Sequence, residues 1–153
     1  MTPIMEQPDL KLWWKPGENA TTKHMHDVVV LASIIEKEVA KEEDRPLVAS
    51  VFVNRLKKNM PLQSDATVRY FTQKYNEPLT KADLEADNPY NTYKNTGLPA
   101  GAIGNPGKSA LRAAMQPPET EYLFFISMPN GETKFSRTHD EHVKLKQEMK
   151  AQL

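Results

Sequence analysis

Val28-Val29-Val30-Leu31-Ala32-Ser33-Ile34-Ile35-Glu36-Lys37-Glu38-Val39 is the stretch from which the fold of this chain can be read. Seven of the eight residues before Glu36 are apolar. At about 100° per residue, Val28, Leu31, Ala32, Ile35 and Val39 form one stripe along a helix. Val30 and Ile34 make the opposite side apolar too, so the helix should be buried nearly all round and form the core of the fold. Glu36 falls on the edge of the stripe beside Val29 and Ala32, and Lys37 falls on the far side. A carboxyl buried in such a place loses hydration, which favours its protonated form. That is one way to hold a general acid at neutral pH. The plainer reading is a helix-flank glutamate paired with a lysine or arginine, and the stretch alone leaves both open. Glu38 lies about 200° further round the helix and is expected to point elsewhere.

A chain of 153 residues is enough for one domain with a real core. Formal net charge is zero, and the basic residues are scattered singly or in pairs. No phosphate-tracking surface follows from that, so no nucleic acid is expected as partner. The absence of cysteine excludes disulfides and thiol catalysis. Val28 to Ile35, the longest apolar run, is far too short to span a bilayer. No signal peptide is visible at Met1. The chain reads as soluble as it stands, with any targeting region lying outside it.

Working outward, residues 1–22 are polar and proline-bearing, with Trp13-Trp14 as a cover for the core or a ligand platform. After the Glu36 helix, Lys41 to Arg45 is a charged break, and Asp44 with Pro46 opens a second helix. Val48, Val51, Phe52, Arg55 and Leu56 give it one face, and Met60-Pro61 ends it. Ser64 or Asp65 can cap a third helix through about Tyr75. Thr80 with Asp83 forms a capping box for a short fourth. Asn105-Pro106 starts a helix through Met115, stopped by Pro117-Pro118. Tyr122 to Met128 is strand-like, Pro129-Asn130-Gly131 turns it, and Thr133 to Ser136 returns as its partner. Thr138 and Glu141 box the last helix. The expected fold class is therefore α+β: one mostly helical domain with a small antiparallel element over residues 122–136.

Asn88 to Gly107 stands apart, with three Pro, four Gly and four Asn in twenty residues. A loop of that length inside a compact domain is usually functional or disordered. Its tyrosines and its lack of a charge run favour an ordered, substrate-lining loop. Among possible chemistries, the pairs His24/His26 and His139/His142 are too loose for a metal centre, and none is assigned. No G-x-S-x-G motif supports a serine hydrolase, and the glycines match no nucleotide-binding pattern. What remains is carboxylate acid–base chemistry beside Gln63, Ser64, Asp65, Thr67, Asn91, Thr92 and Tyr93. That amide and hydroxyl inventory suits a carbohydrate, and it equally suits turn and cap duty.

Leu31 to Glu38 also resembles the signature of the endolytic murein transglycosylases, the YceG-like family. The resemblance continues through Val48 to Leu56, Leu62 to Tyr70, Tyr90 to Tyr93, Gly97 to Ile103 and Asn105 to Gly107. It ends with Tyr122 to Phe125 and the Phe135 to His142 segment. The blocks keep the family's order over about residues 28–150. The resemblance makes 28–153 the catalytic domain, with a lytic-transglycosylase-like cleft, and 1–27 an N-terminal extension without assigned structure; Pro8-Asp9 is a faint echo of a family element.

What this resemblance implies is internal cleavage of the MurNAc–GlcNAc β-1,4 bond of peptidoglycan, leaving a 1,6-anhydro-MurNAc end. It implies Glu36 as catalytic acid and base, and Gln63, Ser64, Asp65, Thr67, Asn91, Thr92, Tyr93 and His142 as substrate-binding residues, with no cofactor. It also implies cell-wall synthesis proteins as partners and a place on the extracytoplasmic face of the bacterial inner membrane. Two departures stand out. Ala100 and Ala102 occupy positions where family members often carry proline, and the family's usual membrane helix and LysM-like region are absent from this chain. An excised or shortened catalytic domain is the expectation that follows. Two other classes stay open: a hydrolase using Glu36 with Asp65 or Glu38 and water, and a silent glycan-binding scaffold.

Overall fold

The computed structural model describes residues 22–153, so the readings made of Pro8-Asp9 and Trp13-Trp14 fall outside the described residues. Helix α1 (Thr22–Glu38) leads into a short 3-10 turn at Glu42–Asp44 and then α2 (Arg45–Lys57). Next come α3 (Asp65–Thr72) and α4 (Lys81–Glu85), then the long loop and α5 (Lys108–Met115). A hairpin of β1 (Phe124–Ser127) and β2 (Thr133–Ser136) precedes the last helix, α6 (His139–Ala151). The expected α+β class is observed, mostly helical with one two-stranded antiparallel sheet. The domain boundary expected at residue 28 falls inside α1. Among the described residues, no helix is long and apolar enough to cross a membrane.

Helix α1 is the core helix. Val28, Leu31, Ala32, Ile34 and Ile35 are fully buried, and Val30 nearly so. Burying one such aliphatic side chain contributes about 1.5–3 kcal/mol, so this single helix supplies a large share of the driving force. The exceptions are Met25, 47 % exposed, and Val29, 39 % exposed. Around α1 pack Val48, Ala49, Phe52 and Val53 of α2 and Ala110, Ala113 and Ala114 of α5. Alanines on α5 let the helix axes approach closely, since interaxial distance follows the side chains at the contact.

The polar edge of α2 holds the hairpin. Asn54 Nδ2 donates to Thr120 O at 2.9 Å and Tyr122 O at 2.8 Å, and Arg55 Nε donates to Leu123 O at 2.7 Å. These bonds satisfy carbonyls that the two-stranded ladder leaves open. Phe125 of β1 meets Phe52 of α2 edge-on, with ring centroids 5.7 Å apart. The turn works as expected: Gly131 takes φ +89°, and its amide donates to Met128 O at 2.9 Å.

Several helix ends differ from expectation for local reasons. Helix α3 stops at Thr72 because Gln73 turns left-handed, at φ +61°, and closes on Arg69 O. Helix α5 starts at Lys108, because the Gly107 amide goes to the Glu36 carboxylate. Thr80 and Asp83 form the full capping box. At α6, Thr138 accepts from Glu141 N, while Glu141 reaches past the cap to the Arg137 amide.

The long loop is ordered from both ends. Asn91 Nδ2 donates to Leu84 O and Ala86 O, and the Ile103 amide donates to Ser33 Oγ at 3.1 Å inside the core. Leu31→Ala should cost about 3 kcal/mol in urea unfolding, by transfer loss plus cavity. Val29→Ala, on the exposed edge of the same helix, should cost about 0.5 kcal/mol or less. Equal losses would show that α1 is not seated as described.

Candidate active site

The C-terminal end of α1 brings Glu38 to the wall of a cleft of about 400 Å³. Helix α2 supplies Val51, Phe52 and Arg55; Gln63 and Asp65 come from the start of α3, and Tyr93 from the long loop. Phe124, Phe125 and Ile126 of β1 and His139, His142 and Lys146 of α6 close the other side.

Glu38 follows Leu31 by seven residues and Ile34 by four, so it shares a helical azimuth with two side chains of zero exposure. That face carries the carboxyl inward. Ser64 Oγ donates to Glu38 Oε1 at 2.5 Å. Ser64 is itself fixed: its amide donates to Thr92 Oγ1 at 2.9 Å, and its carbonyl accepts from Thr67 Oγ1 at 2.9 Å. Burial does most to hold the Glu38 carboxyl above the usual carboxylate range. The Ser64 hydrogen bond opposes that rise, the negative charge of Asp65 adds to it, and the Ala66 amide opposes it.

Beside Glu38, the Tyr93 hydroxyl donates to Asp65 Oδ1. Burial first, and then this bond to Asp65, hold the phenol above its usual range, so it stays a protonated donor. Gln63 takes the left-handed conformation at φ +52°, costly for a residue with a Cβ and characteristic of functional sites. Its amide donates to Thr92 O at 3.1 Å, and its side chain faces Arg55, Nη1 to Oε1, at 3.5 Å. Across the cleft, the Arg55 guanidinium lies 4.9 Å from the Phe124 ring centroid, and His142 stacks on the same ring at 4.9 Å.

Of the residues expected at the site, Gln63, Asp65, Tyr93 and His142 line this one cleft. Ser64, Thr67, Asn91 and Thr92 stand behind its wall, each 2 % exposed or less. Asn91 gives both donors to carbonyls and accepts from the Tyr93 amide, so it shapes the loop that presents Tyr93. The long loop thus reaches the cleft through Tyr93.

Glu36 is not among the residues lining the cleft. Its Oε2 accepts from Arg45 Nη2 at 2.7 Å and its Oε1 from the Gly107 amide at 2.7 Å. Its side chain is 28 % exposed, on the same edge as Val29. This is the arginine-paired flank geometry. Arg45 also donates to Val39 O at 3.3 Å, so the group clasps the ends of α1, α2 and α5 together. Glu38, expected to point away, is the glutamate that reaches the cleft. Because α1 is buried on nearly every side, facing away from the main stripe still means facing protein. The spacing from Leu31 and Ile34 carried that signal.

Fold and cleft together define a helical α+β domain whose cleft holds one shielded carboxyl among amide, hydroxyl and basic groups. The chain belongs to the YceG-like family, whose model matches residues 2–148. A Bacillus subtilis (strain 168) protein named endolytic murein transglycosylase is 50 % identical over 123 residues, covering 80 % of this chain and 34 % of that protein. A Streptococcus pneumoniae protein of the same name is 34 % identical over 124 residues, covering 77 % of this chain and 22 % of that one. The fold is similar to a crystal structure of a YceG-like protein from Listeria monocytogenes, with TM-score 0.76 and 47 % identity, covering 80 % of this chain and 40 % of that one. The chain thus spans about a third of the length of the B. subtilis relative.

Glu38 has a consequence for stability. A carboxyl held above its unfolded value binds its proton more tightly in the folded state. Folding stability therefore falls as pH rises from the usual carboxylate range through the raised folded value. Glu38→Gln removes that loss. In urea titrations across pH, the variant should gain on the wild type as pH rises through this window and hold its gain above it. A variant that instead loses ground with rising pH would show that the fold favours the ionised Glu38.

Proposed function

We propose that this chain is the catalytic unit of an endolytic peptidoglycan lytic transglycosylase, with Glu38 as its acid and base. The observation that carries the reading is one shielded carboxyl, bonded to a fixed serine, in a cleft lined by sugar-compatible groups. Glu38 protonates the oxygen linking MurNAc to GlcNAc, and the bond from that oxygen to C1 of MurNAc breaks. The resulting carboxylate takes the proton from the C6 hydroxyl of the same MurNAc as O6 closes on C1. The products are a 1,6-anhydro-MurNAc end and a free 4-hydroxyl on GlcNAc. The attack is intramolecular, so no water has to be captured and no second carboxylate has to activate it. Gln63 and the Tyr93–Asp65 pair supply dipoles near the sugar as positive charge develops.

Glu36 belongs to the clasp in this reading, and Ser64 is a positioning residue that acts through Glu38. Residues 28–153 carry the catalytic unit, with 1–27 as its extension. The substrate lies outside the inner membrane, so the chain acts on that face, alongside the proteins that build the wall.

Mass spectrometry of digested peptidoglycan tests the activity. Ends lighter than reducing ends by one water support the reading, and ordinary reducing ends would mean that water is the nucleophile. Glu38→Gln should lose about 10⁴-fold in rate, the upper end for loss of acid–base catalysis, since one group serves both steps. Glu36→Gln should keep substantial activity. The reverse pattern in folded variants would transfer the role to Glu36.

The pH profile gives a separate check. Glu38 must start protonated, so activity falls as pH rises through its folded value. The Ser64 bond lowers that value and the Asp65 charge raises it. Ser64→Ala should therefore move the basic limb of kcat/KM to higher pH, and Asp65→Asn should move it to lower pH. Shifts of the same sign in both would contradict the assignment.

A further inference from the structure

We propose that the β1–α6 side of the cleft is an anion subsite that takes a carboxylate of the substrate. That carboxylate comes from the peptide branch of the glycan strand or, where the branch has been removed, from the lactyl group that carried it. The inference rests on the glycan-cleaving reading above.

Four basic side chains line that side: Arg55 from α2, and His139, His142 and Lys146 from α6. The three on α6 are spaced by three and four residues, so they share one face of the helix. Phe124 stands between the two helices. Arg55 and His142 each lie 4.9 Å from its centroid, and His139 lies 6.0 Å away, inclined toward edge-on.

Among the described residues, no ion pair neutralises this group. Glu148 of α6 pairs with Lys134 at 3.5 Å, and the Glu141 carboxylate accepts from the Arg137 amide at the start of the helix. Asp140 is exposed. The two cleft acids are hydrogen-bonded to other groups, Glu38 to Ser64 and Asp65 to Tyr93. Arg55 donates to neutral oxygens: Leu123 O, Pro61 O and Gln63 Oε1. His142 Nδ1 is buried and makes no hydrogen bond to any described residue.

Cations held this close repel one another. After burial, the charges of Lys146, Arg55 and His139 all disfavour the charged form of His142. A bound anion would reverse that repulsion and give Nδ1 a partner. Sugar rings carry no charge, so the anion must come from a substituent. A planar carboxylate matches a guanidinium fork and the point charge of a lysine.

The test uses strands in three forms: bearing peptides, stripped so that the lactyl carboxylate is free, and with every carboxylate capped as an amide. Lys146→Gln and His142→Gln should each raise KM about tenfold or more on carboxylate-bearing strands. Lys144→Gln, on an exposed part of α6, is the control and should leave KM unchanged. Capping should raise the wild-type KM by a similar factor and abolish the difference between wild type and Lys146→Gln. An effect confined to peptide-bearing strands assigns the peptide carboxylate, and one confined to stripped strands assigns the lactyl group. Unchanged KM in both variants on every form, or capped strands cut as well as uncapped ones, would overturn the subsite.

Calorimetric titration of the same strands against the Glu38→Gln chain reads binding without cleavage. Capping-sensitive binding supports the subsite even if the wild type releases no anhydro product from any strand, a result that would overturn only the transglycosylase reading. Anhydro product together with capping-insensitive binding would overturn the subsite alone.

Discussion

The hydrogen bond from Ser64 to Glu38 is the contact on which the rest of the arrangement depends. A carboxyl at the end of a buried helix is costly to ionise, and one hydroxyl with one backbone amide is a modest compensation. The balance leaves Glu38 readier to hold a proton than an ordinary glutamate, yet oriented. Orientation is supplied from behind. Thr67 and Thr92 hold Ser64, and the left-handed turn at Gln63 lets the chain enter α3 with Ser64 facing α1. Ser64 stands at the N-cap position of α3 but makes no side-chain cap bond there, because its hydroxyl is turned to Glu38.

The long loop has two anchors with different chemistry. Near its start, Asn91 and Thr92 knit it to α4 and to the Ser64 turn, which presents Tyr93 to Asp65. Near its end, Ser33 and Glu36 take the amides of Ile103 and Gly107. The approach at Gly107 is close: a Cβ there would stand 3.0 Å from Glu36 Oε1. Two neighbouring glutamates of one helix thus do different jobs, one clasping the scaffold and the other facing the cleft.

Much of the fold was legible in the sequence, because the signals were local. The apolar run of α1, Asp44 with Pro46, the Thr80–Asp83 box and the Asn-Gly turn each act within a few residues. The cleft was legible in part. Gln63, Asp65, Tyr93 and His142 were expected there and line it. Which of the two glutamates faces the cleft was not legible from the stripe, because an inside and an outside do not describe this helix. On a helix buried nearly all round, the better guide is which apolar residues precede each glutamate by four and seven. For Glu36 these are Ala32 and the exposed Val29; for Glu38 they are the fully buried Ile34 and Leu31. The duty of Thr92 was not legible, because its partner Ser64 lies far back in the chain, whereas Asn91 bonds nearby carbonyls of Leu84 and Ala86, the turn duty its residue type also suited. The gathering of Arg55 with His139, His142 and Lys146 was hidden likewise, since it depends on α6 folding back over β1.

The central claim is that Glu38, rather than Glu36, faces the scissile bond. The most direct measurement is a crystal structure of the Glu38→Gln chain with a glycan oligomer spanning the cleft. The account predicts a glycosidic oxygen within roughly 3 Å of the amide at position 38, the reach of a proton transfer, with Ser64 still bonded to that side chain. A glycosidic oxygen seated against Glu36, or a glycan bound outside the Glu38 cleft, would contradict it.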